Sequence, residues 1–525
     1  MNQSPPASLL TIIALARSGA LERARRLFDE AGLAAVTDDP ATLSVRGRLL
    51  KDEARQAAAA DRPRLWREAG DAYARAADLS GTSYHLVNAA TLALLADDRP
   101  AAEERARRVL GKLDAGDTGP ETPYYLGATR AEALLLLGRI DEAKAALEDA
   151  RRLAPEAWED HATTLRQFTL ILEVLGEDDA WLAPLQPPRT LHFAGPLAVA
   201  DDADLRRRID AALDEARIGF AWGALAGGAD LIISEAVLAR GAELHLVLPA
   251  PAAVFRAESA APLGGDWAQR FDAVLAQAAS VSVVEAELAA TTMLHIRLAA
   301  EAAMGRAVMK AASLATQAVQ LLLVDPDAST GATARIGEHW RRSGRRQTQL
   351  DVARPPNLAG GVKSLADGPP DGVLAAMLAV ALDDDASGLA RIGGALADAA
   401  NPLTAPVVAG QALHLAFPNP AQAADAADRI IAALGPDTGR IAAHYGVARR
   451  VDSPFAGPPA LIGAATGVAP DMLASTPDGA IHLSETFAAA LHGWTPVAAG
   501  ETPYVGELSR GGETIALYAL SRAGG

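Results

Sequence analysis

The stretch that most constrains this chain is Tyr124–Pro155, YYLGATRAEALLLLGRIDEAKAALEDARRLAP. Gly127 and Ala131 fall in a first segment of helical periodicity, and Gly138 interrupts it. Ala143, Leu147 and Ala150 recur in a second segment that Pro155 closes. Small residues at these places let two antiparallel helices approach closely, and the proline stops the second. One such pair cannot bury its own apolar face, so several must stack. Weaker copies supply them. Ser83–Leu113 places Ala90, Ala102 and Ala106 comparably, and Ser8–Gly32 carries Ala24, Phe28 and Ala31. Trp66–Leu79 adds another apolar helix between them. From Ser8 to about Leu175 the apolar spacing stays at three and four residues, as in amphipathic helices.

These pairs resemble tetratricopeptide repeats, whose period is about 34 residues. The resemblance implies a surface that holds a protein partner and performs no chemistry. Asp178–Arg189 (DDAWLAPLQPPR) ends the pattern with two adjacent prolines, which sets a first domain at 1–185.

Composition narrows the remainder. Lys+Arg 48 against Asp+Glu 65 gives a net charge of −17, which argues against general affinity for nucleic acid or an anionic membrane. The chain has no cysteine, so disulfides, thiolate zinc sites and cysteine nucleophiles are excluded. The run Leu9–Ala16 has no basic residues before it, unlike a secretory signal, and no stretch is apolar enough to span a membrane. A cytoplasmic protein is expected.

Beyond Pro188 the period changes. Leu191–Gly195, Gly219–Trp222, Glu243–Pro249, Val281–Val284, Val319–Asp325 and Thr348–Val352 read as strands. Helices at Asp201–Ala216, Leu231–Arg240, Trp267–Ala279, His295–Ala315 and Thr330–Ser343 alternate with them. Such alternation builds a mainly parallel sheet over 190–352. Gly223, Gly227 and Gly228 lie between a strand and a helix start, where Asp230 caps the helix or enters its first turn. Exposed N–H groups and the helix dipole at such a turn favour an anion. His192, His245 and His295 lack partners at metal-ligand spacing and are expected to be structural, while Trp222 stacks on a ligand base or packs.

The segment GALAGGADLIISEAVLARGAELHLVLP, Gly223–Pro249, resembles the Rossmann-like family related to DprA and the lysine-decarboxylase-like nucleotide-binding proteins. That resemblance implies a nucleotide or nucleotide-derived ligand. It makes Gly223, Gly227 and Gly228 the phosphate turn and puts Glu235 near the crevice. Asp325 and the Gly331–Thr333 turn would meet the same crevice. Family members that cleave nucleoside monophosphates carry a Gly-Gly-x-Gly-Thr-x-x-Glu run. Here DASTGATARIGEH keeps Thr330, Gly331 and Thr333 but displaces Glu338.

Pro355–Pro356 opens the last third, expected at 357–525. Val373–Leu382, Leu389–Ala400, Ala421–Leu434 and Ala460–Leu473 read as helices. Strands are expected in Pro406–Phe417, Arg440–Val447 and Ala480–Ser484, with a terminal hairpin turning at Gly511–Gly512. The segments ALHLAFPNPAQAADAADRIIAAL, RIAAHYGVARRVDSPFAGPP and DGAIHLSETFAAAL resemble the class III adenylyl/guanylyl cyclase catalytic domain. Cyclase chemistry needs two carboxylates to hold metal ions on the triphosphate. The resemblance puts the first at Gly360, in Leu358–Gly361, and the second at Gln411. It also calls for an Asn-x-x-x-Arg pair within Ile462–Pro470, where neither residue occurs. The acidic run Asp383, Asp384 and Asp385 is expected on a solvated helix end.

The architecture expected is therefore a multi-domain chain: an α-helical repeat array, an α/β Rossmann-like parallel sheet, then an α+β cyclase-like domain. The order is similar to that of a group of bacterial proteins. The function expected is a non-catalytic signalling or regulatory protein with no catalytic or metal residues. It binds a nucleotide-like ligand in the middle domain and a protein partner through the repeats. The pseudo-cyclase serves dimerisation or sensing, and cyclase pairing implies a homodimer. Two alternatives stand beside it. One is a nucleoside-phosphate-cleaving enzyme using Glu235 or Glu338, and the other is a pure interaction scaffold.

Overall fold

The computed structural model describes residues 9–17, 21–116, 121–197, 199–326, 331–353, 371–382, 386–397, 402–435, 438–453, 458–495 and 502–520. The chain forms two compact units, Met1–Pro187 and Pro188–Ala312 with Thr316–Ala523.

The first unit is helical: α1 (Leu9–Arg17), α2 (Leu21–Glu30), α3 (Pro40–Gln56), α4 (Arg62–Ser80), α5 (Ser83–Leu95), α6 (Arg99–Asp114), α7 (Pro123–Leu136), α8 (Ile140–Leu153) and α9 (Trp158–Leu175). Their starts are chemically marked. Asp39, Asp98 and Thr122 each accept a backbone N–H of the first turn, and a proline follows each within two residues. Gly81, Gly138 and Gly176 stop helices in the left-handed region, where a glycine carries no Cβ penalty. A Cβ on Gly127 would lie 2.7 Å from that of Ala150, so α7 and α8 meet through a bare backbone. Ala131, Leu135, Ala143 and Leu147 are fully buried behind that contact.

The second unit contains two sheets. Its first half alternates β1 (Arg189–Ala194), α10 (Ala203–Ala216), β2 (Ile218–Gly223), α11 (Ala229–Ala239), β3 (Glu243–Leu248), α12 (Ala252–Ser259), α13 (Trp267–Gln277), β4 (Ser280–Val283), α14 (Met293–Ser313), β5 (Ala318–Val324), α15 (Ala332–Arg342) and β6 (Gln347–Asp351). All neighbouring strands run parallel, in the order β4-β3-β2-β1-β5-β6. The winding reverses between β1 and β5. One face buries Leu191, Phe193 and Leu246 with Leu205 of α10, Leu231 and Ile232 of α11 and Phe271 of α13. The opposite face is more polar: Thr190, His192 and Gln320 are buried there beside Trp340 and Met304.

The second half is α+β: β7 (Gly372–Ala381), α16 (Ala386–Leu396), β8 (Val407–Ala409), β9 (Ala412–Phe417), α17 (Pro420–Leu434), β10 (Ile441–Val451), β11 (Ala460–Ile462), α18 (Val468–Leu473), β12 (Ile481–Ser484), α19 (Glu485–Trp494), β13 (Tyr504–Arg510) and β14 (Glu513–Ala519). The strand order is β13-β14-β12-β10-β7-β9-β8, with β11 on β10.

Two expectations are corrected here. Val373–Leu382 is not a helix but the central strand β7, bonded to β9 and β10 on either side. Leu374, Ala376, Leu378 and Val380 pack into one core while Ala375, Met377 and Ala379 pack into others, so no polar face marks the period of two. Ala460–Leu473 is likewise not one helix. Strand β11 ends at Ile462, a short 3-10 turn spans Ala464–Gly467, and α18 begins only at Val468.

Candidate functional site

In a parallel sheet the carboxyl ends of all strands share one edge, and ligands of open sheets bind there at the point where the order reverses. Here that point lies between β1, which runs into Gly195, and β5, which runs into Asp325. Gly195 is close-packed: a Cβ on it would meet Ala229 and come within 3.0 Å of Leu323. Gly331 stands at the N-terminus of α15 and Thr333 in its first turn, so Asp325, Gly331 and Thr333 belong to the β5 side of this edge.

Gly223, Gly227, Gly228 and Asp230 form the β2–α11 connection on the β2 side of the same edge. Each glycine there has a packing reason. A Cβ on Gly223 would lie 2.5 Å from the Phe193 ring, and one on Gly227 would lie 2.6 Å from the Ser259 carbonyl oxygen. Gly228 has φ 82° and ψ −123°, a combination reserved in practice for glycine. The Ala229 N–H at the helix start donates to the Pro196 carbonyl at 3.2 Å. The acidic group at this turn is the protein's own carboxyl. Asp230 is 6% exposed, and its Oδ2 accepts the Ala226 N–H at 3.2 Å. Burial pushes its carboxyl up to about 7 against the opposing pull of the Ala226 and Gly195 N–H groups. Its Oδ1 and the Ser234 hydroxyl, one turn further along α11, have no hydrogen-bond partner.

Glu235 is engaged elsewhere. Arg270 holds it through Nε to Oε1 at 2.7 Å and Nη2 to Oε2 at 2.9 Å, and Arg206 reaches Oε2 at 3.0 Å. Asp201 bridges the same two guanidiniums, and Arg270 lies 4.2 Å from the centre of the Trp267 ring. Burial would raise the Asp201 carboxyl, but the two arginines outweigh it and hold the group below its ordinary range. Glu338, on α15, is held by Arg341 and Arg342 at 2.7 and 3.0 Å. The structure thus leaves Glu235 and Glu338 in separate ion-pair clusters. Thr330 lies outside the described residues.

The histidines are packed and bonded. His192 Nδ1 meets Gln320 Nε2 at 2.9 Å while its ring stacks on Trp340, and burial holds its imidazole down at about 3. His245 pairs with Ser280 at 2.8 Å and stacks on Trp222 at 4.4 Å, so Trp222 packs against a side chain of its own chain. His295 meets the Thr292 hydroxyl at 2.8 Å.

In the mixed sheet, Leu358–Gly361 with Gly360, and Asp383, Asp384 and Asp385, lie outside the described residues. Gln411 follows Gly410 in the β8–β9 turn, and its carbonyl accepts the Leu382 N–H at 2.9 Å. Among the described residues no group of three or more His, Asp or Glu could hold a metal ion, and no helix is long and apolar enough to cross a membrane.

One constellation has no counterpart in the motif reading. Glu301 of α14 is 2% exposed and accepts three donors: Tyr445 Oη of β10 at 2.9 Å, Trp494 Nε1 of α19 at 3.1 Å, and Arg297 Nε at 2.7 Å. One turn on, a Cβ at Gly305 would collide with the Ala489 carbonyl of α19. Arg306 then pairs with Glu485 at 2.9 Å. A single acid followed four residues later by a glycine, within an alanine-rich helix, is the faint trace of this contact in the sequence. Helix α14 thus joins the parallel sheet to the mixed sheet through a satisfied buried carboxylate.

The Tetratricopeptide Repeats-Sensor family matches residues 2–93. Repeats of this kind generally mediate protein interactions. No curated protein sequence matches the chain. Among solved structures, the guanylyl cyclase Cya2 is similar at 13% identity over 29% of this chain and 92% of its own, with a TM-score of 0.23. The adenylyl cyclase CyaB from P. aeruginosa aligns at 10% identity over 29% and 95%, TM-score 0.23. An O-GlcNAc transferase mutant from Thermobaculum terrenum aligns at 12% identity over 60% and 58%, TM-score 0.18. Likenesses of this size carry nothing about chemistry.

Proposed function

We propose that this chain is a non-catalytic regulatory protein. Its repeats hold a protein partner. Its parallel sheet, a Rossmann-like domain within 190–352, receives a nucleotide or nucleotide-derived ligand at the β1–β5 edge. Its cyclase-like domain, 357–525, transmits or senses that state and pairs two chains into a homodimer. The observation that carries the reading is the fate of two acidic side chains. Glu235 and Glu338 are each held by two arginines, which takes both out of acid–base work. Glu301 connects the ligand-type sheet to the mixed sheet, which gives a bound ligand a route to the second half. Gln411, where cyclase chemistry would want an aspartate, supports a domain without turnover.

Calorimetric titration of the full chain with nucleoside mono-, di- and triphosphates tests this. The expected result is saturable binding that Thr333→Glu weakens about ten-fold or more, because it sets a negative charge in the first turn of α15. No nucleotide product is expected, with or without Mg²⁺ or Mn²⁺. Silence across the panel would sink the ligand reading. Product formation that Glu235→Gln abolishes would replace it with the cleaving enzyme, and a cyclic nucleotide product would restore the cyclase.

A further inference from the structure

The first helices of successive repeat pairs, α5, α7 and α9, lie side by side. Seven residues, about two helical turns, separate Tyr84 from Thr91, Tyr125 from Glu132 and Asp160 from Gln167, so each pair shares one face of its helix. Contacts between the helices confirm a common surface. Tyr125 Oη donates to Asp160 at 2.7 Å, and Thr91 Oγ1 donates to Glu132 at 2.5 Å. Gln167 bonds Glu132 as well, and Lys51 of α3 is close enough to attract it. The deeper row is therefore a self-satisfied polar base.

The outer row is different. Tyr84 and Tyr125 are 47% and 39% exposed, large for aromatic side chains. Both hydroxyls are engaged within the protein, Tyr84 with the buried Tyr73 and Tyr125 with Asp160. What these residues present outward is ring surface, next to the Asp160 carboxylate. Aromatic faces with an adjacent carboxylate attract guanidinium and ammonium groups. The unit's charge favours the same occupant, since residues 1–187 carry 30 acidic side chains against 23 Lys and Arg.

We propose that the shared face of α5, α7 and α9 docks an arginine- or lysine-bearing stretch of a protein partner, its cationic heads lying over the Tyr84 and Tyr125 rings and against Asp160. This rests on the reading that the repeats hold a protein partner, and it specifies that partner's chemistry.

The test uses the full chain and fluorescein-labelled dodecapeptides of alternating glycine–arginine, glycine–glutamate and glycine–serine, read by anisotropy at about 150 mM salt. Only the arginine peptide is expected to bind. Tyr84→Ala with Tyr125→Ala should weaken it about ten-fold or more, and Asp160→Asn about five-fold. Tyr84→Phe with Tyr125→Phe keeps the rings and should stay within about three-fold of the native chain, and the alanine pair should keep the native helical circular dichroism and melting transition, which separates loss of the rings from loss of the fold. Failure of the arginine peptide to bind, or equal binding by the alanine pair, overturns the proposal. Binding of the glutamate or serine peptide that the alanine pair loses also overturns the cationic assignment, while leaving the repeats as a partner surface.

Discussion

Asp230, at the carboxyl edge of the parallel sheet, is a side chain whose chemistry departs far from its ordinary behaviour. The folded chain keeps a proton on it up to about pH 7, whereas the unfolded chain releases that proton near pH 4. The folded state therefore binds more protons across this window, and its stability falls as pH rises from about 4 to 7. Asp230→Asn keeps an oxygen for the Ala226 N–H and removes the titration. It should match the native chain at pH 4 and exceed it by about 1–3 kcal/mol at pH 8, in urea unfolding curves taken at both. Parallel pH dependence in the two proteins would show that the carboxylate is solvated. Sequence placed Asp230 at a helix start, and that much was legible. Its burial was not, because burial depends on Ser259 and Leu263 closing over the glycine loop from about thirty residues away.

At the level of elements, the α14–α19 crossing decides whether the two sheets behave as one body. Gly305→Val drives a branched side chain into the Ala489 backbone and should lower stability by about 2–3 kcal/mol or more. Glu301→Leu should cost a comparable amount, because it leaves Tyr445 and Trp494 as buried donors without an acceptor. In scanning calorimetry, either change should split or broaden the transition of the second unit. A native-like single transition in both variants would mean the sheets are not coupled through this contact. The repeat helices were the most legible elements, since caps, prolines and small residues all agree locally. Strand β7 was the least legible. Its alanine- and leucine-rich sequence favours a helix locally, and only covering on both faces makes it a strand.

Across the whole molecule, acid sensitivity follows from histidine placement. His192 and His444 are held down at about 3, and His245, His482 and His492 at about 4, in each case first through burial. His482 has no hydrogen-bond partner on either ring nitrogen. These imidazoles stay neutral in the folded chain while the unfolded chain protonates them near pH 6.5. Their contribution is complete above that pH and is lost as pH falls toward 4. Three such groups over two pH units suffice to cancel about 8 kcal/mol, within the usual margin of about 5–15. Circular dichroism along an acid titration should show the second unit unfolding between about pH 4 and 5.5, well before general carboxylate protonation. Retention of its signal at about pH 3.5 would contradict the placement of these rings.

The Glu301 contact also bears on biosynthesis. Its donors Tyr445 and Trp494 lie 144 and 193 residues further along the chain. At about 5–20 residues per second, the ribosome delivers the second donor some 10–40 s after α14 emerges. Throughout that interval the face of α14 that packs on β10 and α19 lacks its cover. A nascent chain arrested between these points is therefore the form most exposed to proteases and chaperones, and completion of α19 is the step that closes it.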